Sequence, residues 1–283
     1  MRLKLVDALR NNASSASVGY LRSPRSFTSF LLCFCLLVAV AVEEGRAEPT
    51  ETVHIRGGAF TPLLKTKQYG DKVTVKPFFI DRHAVTRAQF RDFMSSHSEW
   101  DKSRPAGLFS DTTYLSNWSS STTPPQPETA PVTFVSWFAA KAYCAAQGKR
   151  LPTAAEWEFV GLASETKPDG RRDPDYTAKI LKWYEHNTQE LPPVGQSKNF
   201  YGVQDMHGLI WEWVDDFNGE FTSGDSRGDG SAESSEFCGA AALKVNEQTR
   251  RDYAAFMRYA FRGSVRGNYA IWNLGFRCAR SDK

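Results

Sequence analysis

Hydrophobic periodicity in this chain comes in short pieces separated by long polar runs, and this pattern limits the fold more than any single motif does. Thr52-Val53-His54-Ile55-Arg56 alternates like a half-buried strand and runs into Gly57-Gly58. Residues 72–80, KVTVKPFFI, read as a second strand with Val73 and Val75 on one face. Thr86 stands where an N-cap belongs before RAQFRDFM, in which Phe90, Phe93 and Met94 fall at helical spacing. Ser136 can cap a second helix, WFAAKAYCAAQ, which Gly148 ends as a C′ residue. Thr153-Ala-Ala-Glu156 is a capping box whose hydroxyl and carboxylate satisfy backbone amides at a helix start. Trp157 and Val160 face inward from that helix. A helical stretch with Tyr253, Phe256, Met257 and Tyr259 precedes a strand-like end, NLGFRCAR. Residues 116–131, polar and Pro-rich, and 218–237, rich in Gly, Ser and acidic residues, read as loops. With no internal repeat, this alternation predicts one α+β domain. Eight Trp and 13% aromatic residues predict a core built on rings rather than on aliphatic layers.

Upstream of that domain, residues 30–42 form an unbroken apolar run, FLLCFCLLVAVAV. It falls short of the roughly 20 residues that span a bilayer. Arg22 and Arg25 precede it and Gly45-Arg46-Ala47 follows, a small-x-small pattern, so residues 1–47 read as a secretory signal and 48–283 as the mature domain. The competing readings are a buried core helix, which Glu43 and Glu44 cut short, and an uncleaved membrane anchor. The expected location is therefore periplasmic or secreted, with membrane attachment only if the signal stays uncleaved. Of 35 basic and 32 acidic residues, six and three lie in the leader, which leaves 29 of each. A neutral mature chain offers no basic patch for nucleic acid. Of five cysteines, Cys33 and Cys35 leave with the signal, while Cys144, Cys238 and Cys278 remain. One disulfide and one free thiol is the simplest arrangement in an oxidising compartment, and the pairing stays open.

Several residues invite a chemical reading. Arg150, Glu156 and Glu158 form a candidate acid/base set, yet the capping box accounts for Glu156 and a buried Arg–carboxylate pair for the others. Trp211 and Trp213 flank Glu212 at strand alternation and read first as core. His54, His83, His97, His186 and His207 show no metal-ligand spacing. Ser264 as a nucleophile lacks a visible His–Asp partnership. The Arg227-Gly228-Asp229 tripeptide is read as chance.

Four blocks, in order along the domain, resemble the formylglycine-generating-enzyme (sulfatase-modifying-factor) family. They are FFIDRHAVTRAQF at 78–90; PVTFVSW at 131–137 with Ala142-Tyr143-Cys144; GKRLPTAAEWEF at 148–159; and YGVQDMHGLIWEW at 201–213 with NLGFRC at 273–278. The resemblance implies a C-type-lectin-like fold with little regular structure and long loops. It also implies a calcium site through the Asp205 and Glu212 side chains and the Gly208 and Ile210 carbonyls, oxygen ligands suited to a hard cation. Leu209 stands where the family usually has Asn. A second family calcium site retains its first ligands as Asn187 and Thr188 but lacks the downstream Asp.

The family's oxidase holds Cu(I) on two cysteines before the NLGFR strand, soft thiolates for a soft ion. Residues 262–273, RGSVRGNYAIWN, contain none, so no copper is expected. The family's disulfides are also excluded. Cys144 lacks its partner beyond the last strand, and the partner of Cys278 falls at Gly161. This leaves Cys238 to pair with Cys278 or Cys144, or all three thiols free. Three functions follow. The first is a non-catalytic member serving as an accessory or maturation factor for another exported protein or peptide. The second is a divergent metal-dependent oxidoreductase. The third is a lectin-fold ligand- or peptide-binding module, with a groove of Trp211, Ser264, Arg266, Tyr269 and Trp272.

Overall fold

The computed structural model describes residues 47–62, 72–185, 190–217 and 247–282. The loop reading of 218–237, Cys238, His186 and the Asn187–Thr188 pair lie outside the described residues, as do residues 1–46. Strand β1 (Thr52–Ile55) pairs antiparallel with β4 (Phe78–Asp81), matching Ile55 to Phe78, and β4 pairs on its other side with β7 (Ala279–Ser281). The expected single strand over 72–80 divides at Pro77, which has no N–H to donate to a ladder. Its first half becomes β3 (Val73–Val75), hairpin partner of β2 (Gly58–Phe60). At the bend before β2, Gly57 has φ +71°, and a Cβ there would stand 2.3 Å from the Val75 carbonyl oxygen.

The caps lie where the sequence places them. Thr86 and Gln89 form a capping box on α1 (Arg87–Ser96), and the Ser136 hydroxyl accepts from Ala139 at the start of α2 (Trp137–Ala146). Thr153 and Glu156 box the start of α3 (Ala154–Gly161). Two further helices are α4 (Pro174–Glu185), which was not expected from the sequence, and α5 (Glu247–Ser264). A short parallel pair joins β5 (Trp211–Glu212) to β6 (Leu274–Gly275). Gly275 is needed there, since a Cβ would meet the Val132 carbonyl oxygen at 2.2 Å.

The core is aromatic, as expected. Phe90 of α1 packs against Phe93, Trp118, Tyr143 and Phe276 with centroids 5.5–6.5 Å apart. Beside this cluster Cys144 and Cys278, both fully buried, form a disulfide with Cα atoms 5.6 Å apart. The pairing corrects the sequence expectation that a bridge, if present, would use Cys238. Helix α2 and the segment leading into β7 bring the two cysteines together.

Candidate functional site

The segment 205–212 was expected to hold calcium, and each of its charged residues is already engaged. Asp205 takes a left-handed φ of +53°, and its buried carboxylate accepts from the backbone N–H groups of Gly195 and Ser197, the latter at 2.7 Å. Glu212 lies on β5 beneath Arg277, which donates through Nε and Nη2 at 2.8 Å to the two carboxylate oxygens. One of these oxygens also accepts from Trp157 Nε1 at 2.7 Å. Arg277 extends this network to the carbonyls of Asp81, Arg82 and Gln204. Leu209, in place of the family's Asn, is buried with Ile210, Ala84, Ala130 and Leu191, so an apolar contact shapes the turn. Gly208 adopts φ +106°. With Glu212 committed to Arg277, this donor set does not fit a calcium cage. Among the described residues no group of three or more His, Cys, Asp or Glu is placed to hold a metal ion.

The acid/base candidates fall into two clusters, and Arg150 pairs with Glu156 rather than with Glu158 as the sequence suggests. Arg150 donates to both oxygens of Glu156 at 2.7 Å, and Glu156 also caps α3 through the Thr153 amide at 2.8 Å. Glu158, on the buried face of α3, receives Arg258 and Arg262 from α5, one turn apart, at 2.7 and 2.8 Å. Burial alone would raise the Glu158 pKa, but the two guanidinium charges outweigh it and hold the carboxyl at about 2. Both arginines also lie over the Trp157 ring.

Beside them the His207 ring is pushed down to about 3, first by burial and then by the Arg258 charge. Its Nε2 donates to the Gly161 carbonyl at 2.8 Å, so the neutral ring carries its proton there, and the buried Nδ1 has no partner. The other described histidines are dispersed. His54 meets Asp282, His83 bonds the Ala84 carbonyl, and His97 stacks on Phe93.

The structure does not gather the five expected groove residues around one cavity. Trp211 is half-buried in an aromatic stack with Tyr184 of α4 and Phe261 of α5, at 4.9 and 4.6 Å. The Ser264 hydroxyl donates back to the Phe261 carbonyl at 2.8 Å, as an unpartnered serine at a helix end does. Arg266 is exposed and sits over the Tyr269 ring at 5.9 Å. Trp272 lines a separate cavity with Phe134 and Leu191. Helix α4 covers Trp211, and Arg87 also lines the Trp272 cavity. The helical spacing of Tyr176, Ile180, Trp183 and Tyr184 is a signal for α4, whereas no spacing marks Arg87.

The family described as "Sulfatase-modifying factor enzyme 1-like domain" matches residues 38–282. Among relatives, the inactive C-alpha-formylglycine-generating enzyme 2 of Mus musculus is 31% identical, across 65% of this chain and 74% of that protein. The formylglycine-generating enzyme of Mus musculus is 28% identical, across 81% and 75%. The solved structure of PvdO from Pseudomonas aeruginosa is 20% identical, covers 82% of this chain and 95% of that one, and superposes with a TM-score of 0.44.

Proposed function

The chain belongs to the sulfatase-modifying factor enzyme 1-like family, and we propose that it is a non-catalytic member that binds another exported protein or peptide as an accessory or maturation factor. One observation carries this reading. Two of the three cysteines of the domain are spent on each other in the buried Cys144–Cys278 disulfide. The loop from Ser264 to Asn273, where the family's oxidase carries its copper thiolates, has no sulfur at all. Cys238 alone supplies one thiolate, and linear Cu(I) coordination takes two. A polar Ser264 hydroxyl and a buried, neutral His207 do not replace a soft ligand. The likeness to a relative named inactive supports the same reading. Export and a client rest on the leader-like residues 1–47 and on the exposed Arg266 beside the half-buried Tyr269 ring. Titration of the protein with Cu(I) against a competing chelator, without reductant strong enough to open the disulfide, tests the reading. The expected result is no copper retained; one tightly held Cu(I) per chain overturns it.

A further inference from the structure

Arg87 is the first residue of α1 and only 3% exposed. Its Nη1 donates to the carbonyls of Pro125, Gln126 and Pro127 at 3.4, 3.1 and 3.3 Å, while its Nε–H is buried without a partner. The other buried guanidiniums among the described residues, Arg258, Arg262 and Arg277, each meet a glutamate. Among the described residues Arg87 meets none, and burial lowers its pKa with no described carboxylate acting to raise it. Its place at the helix N-terminus adds the unfavourable end of the dipole. Three carbonyl oxygens offset part of this cost but bring no negative charge, and they leave unused the guanidinium edge that carboxylates take side-on.

That arginine lines a groove of about 580 Å³ with Trp272, Phe134, Leu191 and two proline segments, 125–127 and 192–193. Rings and aliphatic carbon make most of the walls, with Asn117 and Gln126 as the neutral polar lining. The carboxylate in the lining, Glu190, is exposed and has an interaction of its own. We propose that this groove binds a carboxylate carried on an apolar or ring-bearing body, with Arg87 taking the carboxylate and Trp272 packing on the body. A guanidinium edge and a carboxylate match in charge and planar geometry, and rings of Trp and Pro accept a flat apolar partner at little entropic cost. The inference rests on reading the chain as a binding protein, and its failure leaves the thiol argument untouched.

Calorimetric titration of the full chain with hydrocinnamate and with its neutral isostere hydrocinnamamide tests it. The acid should bind one-to-one and the amide at least about tenfold more weakly. Arg87→Gln should weaken the acid at least about tenfold and leave the amide unchanged, whereas Trp272→Ala should weaken both. A Gly-Gly-Phe tripeptide with a free or an amidated C-terminus separates the two sources of the group. Tighter binding of the free tripeptide than of hydrocinnamate assigns the groove to a chain end, and the reverse assigns it to a small acid. Equal binding of acid and amide, or no saturation by either acid or free tripeptide at about 10 mM, overturns the proposal, since Kd values beyond that are weaker than about −3 kcal/mol of binding. Should Arg87→Gln fail to fold, the acid/amide ratio and the Trp272→Ala titration decide alone.

Discussion

Replacing Glu158 by Gln leaves Arg258 and Arg262 facing each other with side chains 4% and 7% exposed and no anion between them. Two estimates of the cost agree in size. Removing one partner of a buried ion pair costs about 3–5 kcal/mol. The carboxyl pKa, about 2 in the fold against 4.5 for the free group, independently corresponds to about 3 kcal/mol at 1.36 kcal/mol per unit. Because the folded value is depressed, this contribution is complete above pH 4.5 and is lost as pH falls toward 2. Urea melts of wild type and Glu158→Gln at pH 7, and then at steps from 5 to 2.5, measure both features. The variant should be less stable by about 3 kcal/mol at pH 7, and the gap should close as the wild-type carboxylate takes its proton. Equal stabilities at pH 7, or a gap that stays constant down to pH 2.5, would refute the account of this cluster.

His207 predicts a second pH dependence. Its folded pKa of about 3 lies below the free value of 6.5, so the unfolded chain binds the extra proton and stability falls as pH drops from 6.5 toward 3. His207→Gln keeps a donor for Gly161 and should flatten the pH 6.5–4.5 part of that profile; an unchanged slope contradicts the assignment. Chelator should leave the melting temperature unchanged because Glu212 is committed to Arg277, and a lower melting temperature in EDTA would restore a calcium cage. The chain recovered from the exporting cell should begin near Glu48 and carry one free thiol on denaturation, with Cys144→Ser costing about 2–5 kcal/mol. Three thiols would remove the disulfide.

What the sequence disclosed was mostly local. Caps at Thr86, Ser136 and Thr153 act within three residues, so their geometry follows from neighbours already visible in the chain. The division at Pro77 was also local and was missed because the apolar pattern runs through it. Helix α4 escaped for a different reason: Tyr176, Ile180, Trp183 and Tyr184 do fall at helical spacing, but charged residues separate them and Ile180 is the one buried residue among them. The candidate site was harder to read. Glu158 and its arginines are 100 and 104 residues apart, and Glu212 and Arg277 are 65 apart. A family motif suggested an oxygen ligand at 212, but only the fold places a guanidinium on both of its oxygens. The Cys144–Cys278 bridge depended likewise on α2 meeting the segment before β7, which no spacing rule specifies.

The central claim concerns thiol chemistry, and it is tested most directly by the product that chemistry would make. The reduced and the disulfide-intact protein, each supplied with Cu(I) and oxygen, are incubated with a CxPxR peptide, and the peptide is examined by mass spectrometry for conversion of its cysteine to the aldehyde. The account predicts an unmodified peptide in both cases, because opening the buried bridge frees Cys144 and Cys278 without placing a thiolate pair in the Ser264–Asn273 loop. Aldehyde formed catalytically by the disulfide-intact protein would contradict it and make this chain an oxidase.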